Sequence, residues 1–128
     1  MSAASDYLEN ALLDHVMRNT ALTSPTNVYL GLSTGSFNDD NSGTELSGNG
    51  YARQTITCSA AASGSITNSS AISFPTATGT WGSVSHFGVF DASSSGNLLF
   101  HGALASAKTI TSGDVLKIDA SNLTVSLD

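Results

Sequence analysis

Beyond residue 27, apolar side chains recur at every second position, in short runs that Ser, Thr, Gly and Asn keep interrupting. Period-two alternation marks a strand with one buried face, because successive side chains leave a pleated backbone on opposite sides. Val28, Leu30 and Leu32 point one way while Tyr29, Gly31 and Ser33 point the other. Tyr51 to Ser59 alternates again, with Ala52, Gln54, Ile56 and Cys58 on one face, which makes Cys58 a buried small hydrophobe. Ala71-Ile72-Ser73-Phe74 reads as a short strand stopped by Pro75. In Trp81 to Asp91 both faces carry apolar groups, the pattern of a central strand with glycines where large rings need room. Asn97 to Leu104, Thr109 to Thr111, Val115 to Asp119 and Leu123 to Leu127 bring the total to about eight short strands. A chain of 128 residues has room for one core. The spacing therefore predicts a mainly β, single-domain antiparallel β-sandwich or small barrel over 1–128, with strands spread across 28–127.

One segment breaks the pattern. Leu8, Ala11, Leu12, His15, Val16 and Asn19 recur at helical spacing, with Leu13 and Met17 widening the apolar face. Asp6 stands as N-cap with Glu9 three residues on, and Arg18 complements the macrodipole at the far end, so an N-terminal α-helix is expected over 6–20. The stripe is amphipathic but not basic, which favours docking on the sheet or on a partner subunit over a membrane. On that reading Leu12→Asp unfolds or disassembles the protein. The other exception is 35–50, where Asn38-Asp39-Asp40-Asn41-Ser42-Gly43 and Ser47-Gly48-Asn49-Gly50 make a long, turn-rich surface loop. Loops of this length in a small domain are functional or ordered from outside it.

The surface has to be polar without being charged. Only 11% of residues are Asp, Glu, Lys or Arg, whereas 22 Ser, 14 Thr, 12 Gly and 9 Asn supply hydrogen bonds and turns. The net charge of -6 opposes any sequence-independent grip on phosphates or anionic lipid, so neither nucleic acid nor membrane is expected as a partner. The N-terminus lacks the basic start and apolar core of a signal peptide, so Sec export is not expected. Cys58 stands alone, which leaves no intrachain disulfide and no Cys-clustered metal site.

Chemistry finds little support. Ser85, His86, His101 and Asp91 supply the residue types of a nucleophile, base and orienter, but no strand-to-helix nucleophile elbow surrounds any Ser. Asp39, Asp40 and Glu45 could offer oxygens to calcium, yet the spacing of an EF-hand loop is absent and a solvated turn explains the run. No phosphate loop or dinucleotide fingerprint is present, so no cofactor is implied and the chain is expected not to be an enzyme. Arg53, beside Tyr51 in a cation-poor chain, reads as half of an ion pair, at the surface or across a subunit boundary.

The run Tyr7-Leu8-Glu9-Asn10-Ala11-Leu12-Leu13-Asp14-His15, with Val28-Tyr29-Leu30-Gly31-Leu32 and Gly50-Tyr51-Ala52-Arg53-Gln54, resembles small tailed-bacteriophage virion proteins often labelled tail fibre or appendage proteins. Phe74-Pro75-Thr76-Ala77-Thr78-Gly79, Trp81-Gly82, His86-Phe87-Gly88-Val89-Phe90-Asp91 and Gly96-Asn97-Leu98-Leu99-Phe100-His101-Gly102 continue the likeness in the same order. The resemblance implies a non-enzymatic structural protein, made in the bacterial cytoplasm and carried on the outer surface of a phage head or tail. Its partners would be the major capsid protein or other virion proteins, and further copies of itself, with a homotrimer expected by analogy. One globular unit without a shaft suits a capsid decoration (cement) protein, which binds the assembled lattice and stabilises the head. The alternative is a tail fibre or appendage subunit that touches the host surface, with Tyr51 or Phe37 beside Asn38 and Asp40 as a glycan platform. The candidate interface residues are Leu8, Leu12 and His15 on the helix, and Phe37, Asp39, Asp40, Tyr51 and Arg53 on and beside the loop. Trp81, Phe87, Phe90 and Phe100 are expected in the core.

Overall fold

A computed structural model describes residues 2–127. Its backbone is a five-stranded antiparallel sheet in the order β1 (Ser2–Ala4), β7 (Leu98–Ile110), β6 (Gly82–Phe90), β2 (Val28–Ser33), β3 (Gln54–Ile56). The central pairing of β2 with β6 sets Leu30 opposite Val89 and Leu32 opposite Phe87 on one face, and Gly31 opposite Gly88 and Tyr29 opposite Phe90 on the other. That register follows from the period-two pattern, since a slip of one residue would turn Leu30 and Leu32 out of the core.

Two short antiparallel pairs form the second layer: β4 (Ser65–Thr67) with β9 (Thr124–Ser126), and β5 (Ile72–Ser73) with β8 (Lys117–Ile118). Between the layers lies the main core, where Leu30, Leu32, Val84, Phe87 and Val89 meet Ile72, Phe74, Trp81, Leu116 and Leu123. Buried Asn68 ties the thin layer together. Its Nδ2 donates to the carbonyls of Ser70 and Asp119 at 2.9 and 3.0 Å, and its Oδ1 accepts from the Leu123 amide at 2.9 Å. A smaller cluster of Phe37, Phe90 and Leu98 sits on the opposite face of the sheet, under the 35–50 loop.

The sandwich and its central strand β6 match the sequence reading, and several details differ. The helix α1 spans Asp6–Met17 rather than 6–20, and its N-cap is Ser5, whose Oγ accepts from the Leu8 amide at 3.2 Å and donates to the Leu98 carbonyl. The Asp6–Glu9 box does not form because the cap stands one residue earlier. At the other end Asn19 takes a left-handed φ of 55°, and the amides of Arg18 and Thr20 close on the Asp14 carbonyl, which stops the helix short of Thr20.

Cys58 is exposed, not buried. β3 ends at Ile56, and beyond it only an isolated bridge from Cys58 to Asn68 remains, so the alternation outlasts the strand that would give it meaning. Thr109–Thr111 is no separate strand. It is the far end of β7, which reaches Ile110 through a bulge that sets Ala103 opposite His86 and Lys108 opposite Val84. Two strands carried no sequence signal strong enough to read: β1, three small residues, and β4, a single Ile66 between Ser65 and Thr67.

Candidate interaction surfaces

The loop and the residues after it form an internal fastener rather than a free surface. Arg53, with a side chain only 7% exposed, places Nε and Nη2 on the Glu45 carboxylate at 2.7 to 3.1 Å. Its Nη1 donates to the carbonyls of Ala92 and Ser95, each at 2.8 Å, and its Cζ lies 3.6 Å above the Phe90 ring. Tyr51 donates its hydroxyl proton to Glu45 and accepts the Leu32 amide at 2.9 Å, taking the place of a strand partner at a position that β3, which begins at Gln54 opposite Leu30, does not reach. Burial first, and the bond to Glu45 second, push the Tyr51 phenol well above its ordinary value. Phe37 is fully buried, edge-on to Phe90 with centroids 5.5 Å apart.

Three expectations are therefore corrected. Arg53 pairs with a half-buried acid of its own chain, not with a fully solvated one or across a boundary. Phe37 is buried, and the half-buried Tyr51 ring packs on Phe74 and Trp81, so neither stands out as an exposed platform. The loop needs nothing from outside to be ordered, because the sheet orders it: the Leu46 amide donates to the Leu32 carbonyl at 2.9 Å and Ser33 Oγ to the Thr44 carbonyl at 2.6 Å.

Asp39 and Asp40 remain at the surface. Asp39 Oδ1 lies 2.6 Å from His101 Nε2 on β7, and the Asp39 carbonyl accepts the Asp6 amide at 2.9 Å, so this residue links loop, sheet and helix start. Asp40 Oδ1 accepts the Ser42 amide at 3.0 Å, and the Ser42 hydrogen bonds hold its carboxyl below the usual value. The carboxylates of Asp39, Asp40 and Glu45 thus point at three different partners, and among the described residues no group of three His, Cys, Asp or Glu is placed to hold a metal ion. Ser85 Oγ lies 2.8 Å from His86 Nδ1, but Asp91 accepts the backbone and side-chain amides of Asn97 and closes a turn.

The helix is the surface that stands unused. It touches the body through Leu8, which packs on the main core, while His15 Nδ1 accepts the Leu22 amide at 3.2 Å. No residue of α1 is fully buried. Leu12 is partly exposed, Leu13, Val16 and Met17 strongly so, with Val16 at 67% and Met17 at 77%. Leu12→Asp is therefore expected to act less on the fold, which the helix meets through Leu8, than on any contact with a neighbour. On another side of the molecule, a groove of about 520 Å3 runs between β7 and the second layer, with Phe87, Leu104, Leu116, Ile118 and Leu123 among its walls and Lys108 and Lys117 at its rim. Sequence reasoning missed this groove, because it is made by segments far apart in the chain. Among the described residues no helix is long and apolar enough to cross a membrane.

Comparison with protein families gives the class first: the chain is a structural protein of a phage virion, of fibre type. The model of the podophage GP4 fiber I protein gp80 family matches residues 3–126, and the chain belongs to that family. No curated protein matches it.

Proposed function

We propose that this protein is a non-enzymatic subunit of a tail fibre or tail appendage, in contact with other virion proteins and with the host surface. The observation that carries this reading is the match of nearly the whole chain to a family of fibre proteins, which favours the fibre over the capsid decoration expected from size and acidity alone. The geometry supports it. The polar groups that could have formed a reactive site are engaged in turns and in the Arg53 fastener, whereas the helix and the groove are apolar surfaces left open to neighbours. The net charge of -6 disfavours phosphate and anionic lipid as partners.

Antibody-gold labelling of intact virions tests the assignment. Label confined to tail-associated fibres is expected. Label spread evenly over the head would return the protein to the decoration reading.

A further inference from the structure

We propose that copies of this chain associate head to tail, the outward face of α1 from one copy seating in the groove between β7 and β8 of the next. The inference deepens the fibre reading by naming the contact between subunits. Two unpartnered apolar surfaces carry it. Five of the seven large apolar side chains exposed among the described residues lie on α1: Tyr7, Leu12, Leu13, Val16 and Met17. A helix of 12 residues is too short to persist in water by itself, yet Ser5 and Asp39 hold this one in place with those side chains outward. The groove has mostly apolar walls, with Lys108, Lys117 and one acid, Asp119, also lining it, and it shares no residue with the helix.

Charge selects the occupant. Glu9 stands in the same stripe as Leu12, Leu13 and Val16, at positions i, i+3, i+4 and i+7, so whatever covers that stripe must answer a carboxylate or leave it desolvated at a cost. A second α1 packed face to face cannot answer it. Arg18 lies on a different stripe, with Tyr7, Ala11 and Asp14, and is paired to Asp14 at 3.2 Å. Arg53 is locked inside on Glu45. The remaining Lys and Arg side chains are both at the groove: Lys117, loosely paired with Asp119 at 3.5 Å, and Lys108, which has no ion-pair partner among the described residues. Half of the four Lys and Arg residues of an acidic chain thus border a groove that suits an apolar helix carrying an acid. Because helix and groove are different patches, the contact is heterologous, and repetition yields a closed ring or an open filament rather than a two-fold pair.

The test uses two variants of the full chain, each altered at exposed positions and each checked for an unchanged thermal midpoint. Val16→Asp disables the helix face and leaves the groove. Lys108→Glu disables the groove and leaves the helix. Sedimentation velocity at rising concentration should show the unaltered chain self-associating, each variant alone monomeric, and an equimolar mixture of the two forming a one-to-one dimer. The double variant Glu9→Lys with Lys108→Glu should self-associate again. A mixture that stays monomeric while the unaltered chain associates would overturn the proposal, as would a Val16→Asp chain that associates as well as the parent. If the unaltered chain stays monomeric, oxidation of Val16→Cys chains mixed with Leu104→Cys chains, both in a Cys58→Ser background, decides. A disulfide-linked dimer of the two different variants, well above the yield of a surface-cysteine control, supports the contact, and its absence overturns it.

Discussion

Arg53 is a buried cation, and its environment leaves it one stable arrangement. Five hydrogen-bond contacts and the Phe90 ring surround the guanidinium, and removing one partner strands the other charge in a desolvated place. Arg53→Ala is expected to destabilise the fold by about 3 kcal/mol, read from denaturant midpoints. Gly31→Ala should also destabilise, since a Cβ there would stand 2.8 Å from Glu45 Oε2 and 2.9 Å from the Phe90 ring. Tyr51 adds a dependence on pH. The folded state keeps its phenol protonated above the ordinary value of 10.0, whereas the unfolded chain releases that proton near it, so stability falls as pH rises past about 10. Tyr51→Phe should flatten that alkaline decline in a series of thermal melts, and an unchanged slope would remove Tyr51 as its source. The sequence pointed at Arg53 as half of an ion pair, because cations are scarce. It could not show that Glu45 was the partner or that the pair was shielded from solvent, since those facts depend on how the loop folds back over Gly31. Nothing about Asn68 in a run of small polar residues marked it as a buried linchpin.

At the scale of elements, α1 is fixed by its start and not by its stripe. Ser5→Ala removes the cap and its bond to Leu98, and should cost about 1 kcal/mol or more. Leu13→Asp and Val16→Asp, by contrast, should leave the monomer's stability within about 0.5 kcal/mol, because both side chains already stand in solvent. The reverse ranking would mean that the helix packs inward on that face. Strands were legible wherever a face met the core: β2 alternates cleanly, and β6, apolar on both faces, reads as the central strand it is, whereas the register that sets Leu30 opposite Val89 and Leu32 opposite Phe87 came only with the fold. Legibility failed where strands are short, as in β1 and β4, where pattern outran pairing, as at Cys58, and where a bulge hid one long strand behind two apparent ones, as in β7. Helical spacing revealed α1 itself but not how little of its apolar stripe meets the body, because the line of Leu8, Leu12 and Val16 packs on the core at Leu8 and stands in solvent by Val16.

The whole molecule is a small sandwich that settles its polar chemistry internally and leaves two apolar patches outside. Composition foresaw the acidic, Ser- and Thr-rich surface. It held no address in the virion, since decoration proteins and fibre subunits need the same kind of exterior, and the family match rather than any single residue favours the fibre. Cryo-electron microscopy of the parent virion, at a resolution that shows helices, tests this most directly. The sandwich is expected in fibre density attached to the tail, in adjacent copies whose α1 meets the β7–β8 groove of a neighbour. Copies arrayed over the capsid lattice of the head, with none in the fibres, would contradict it.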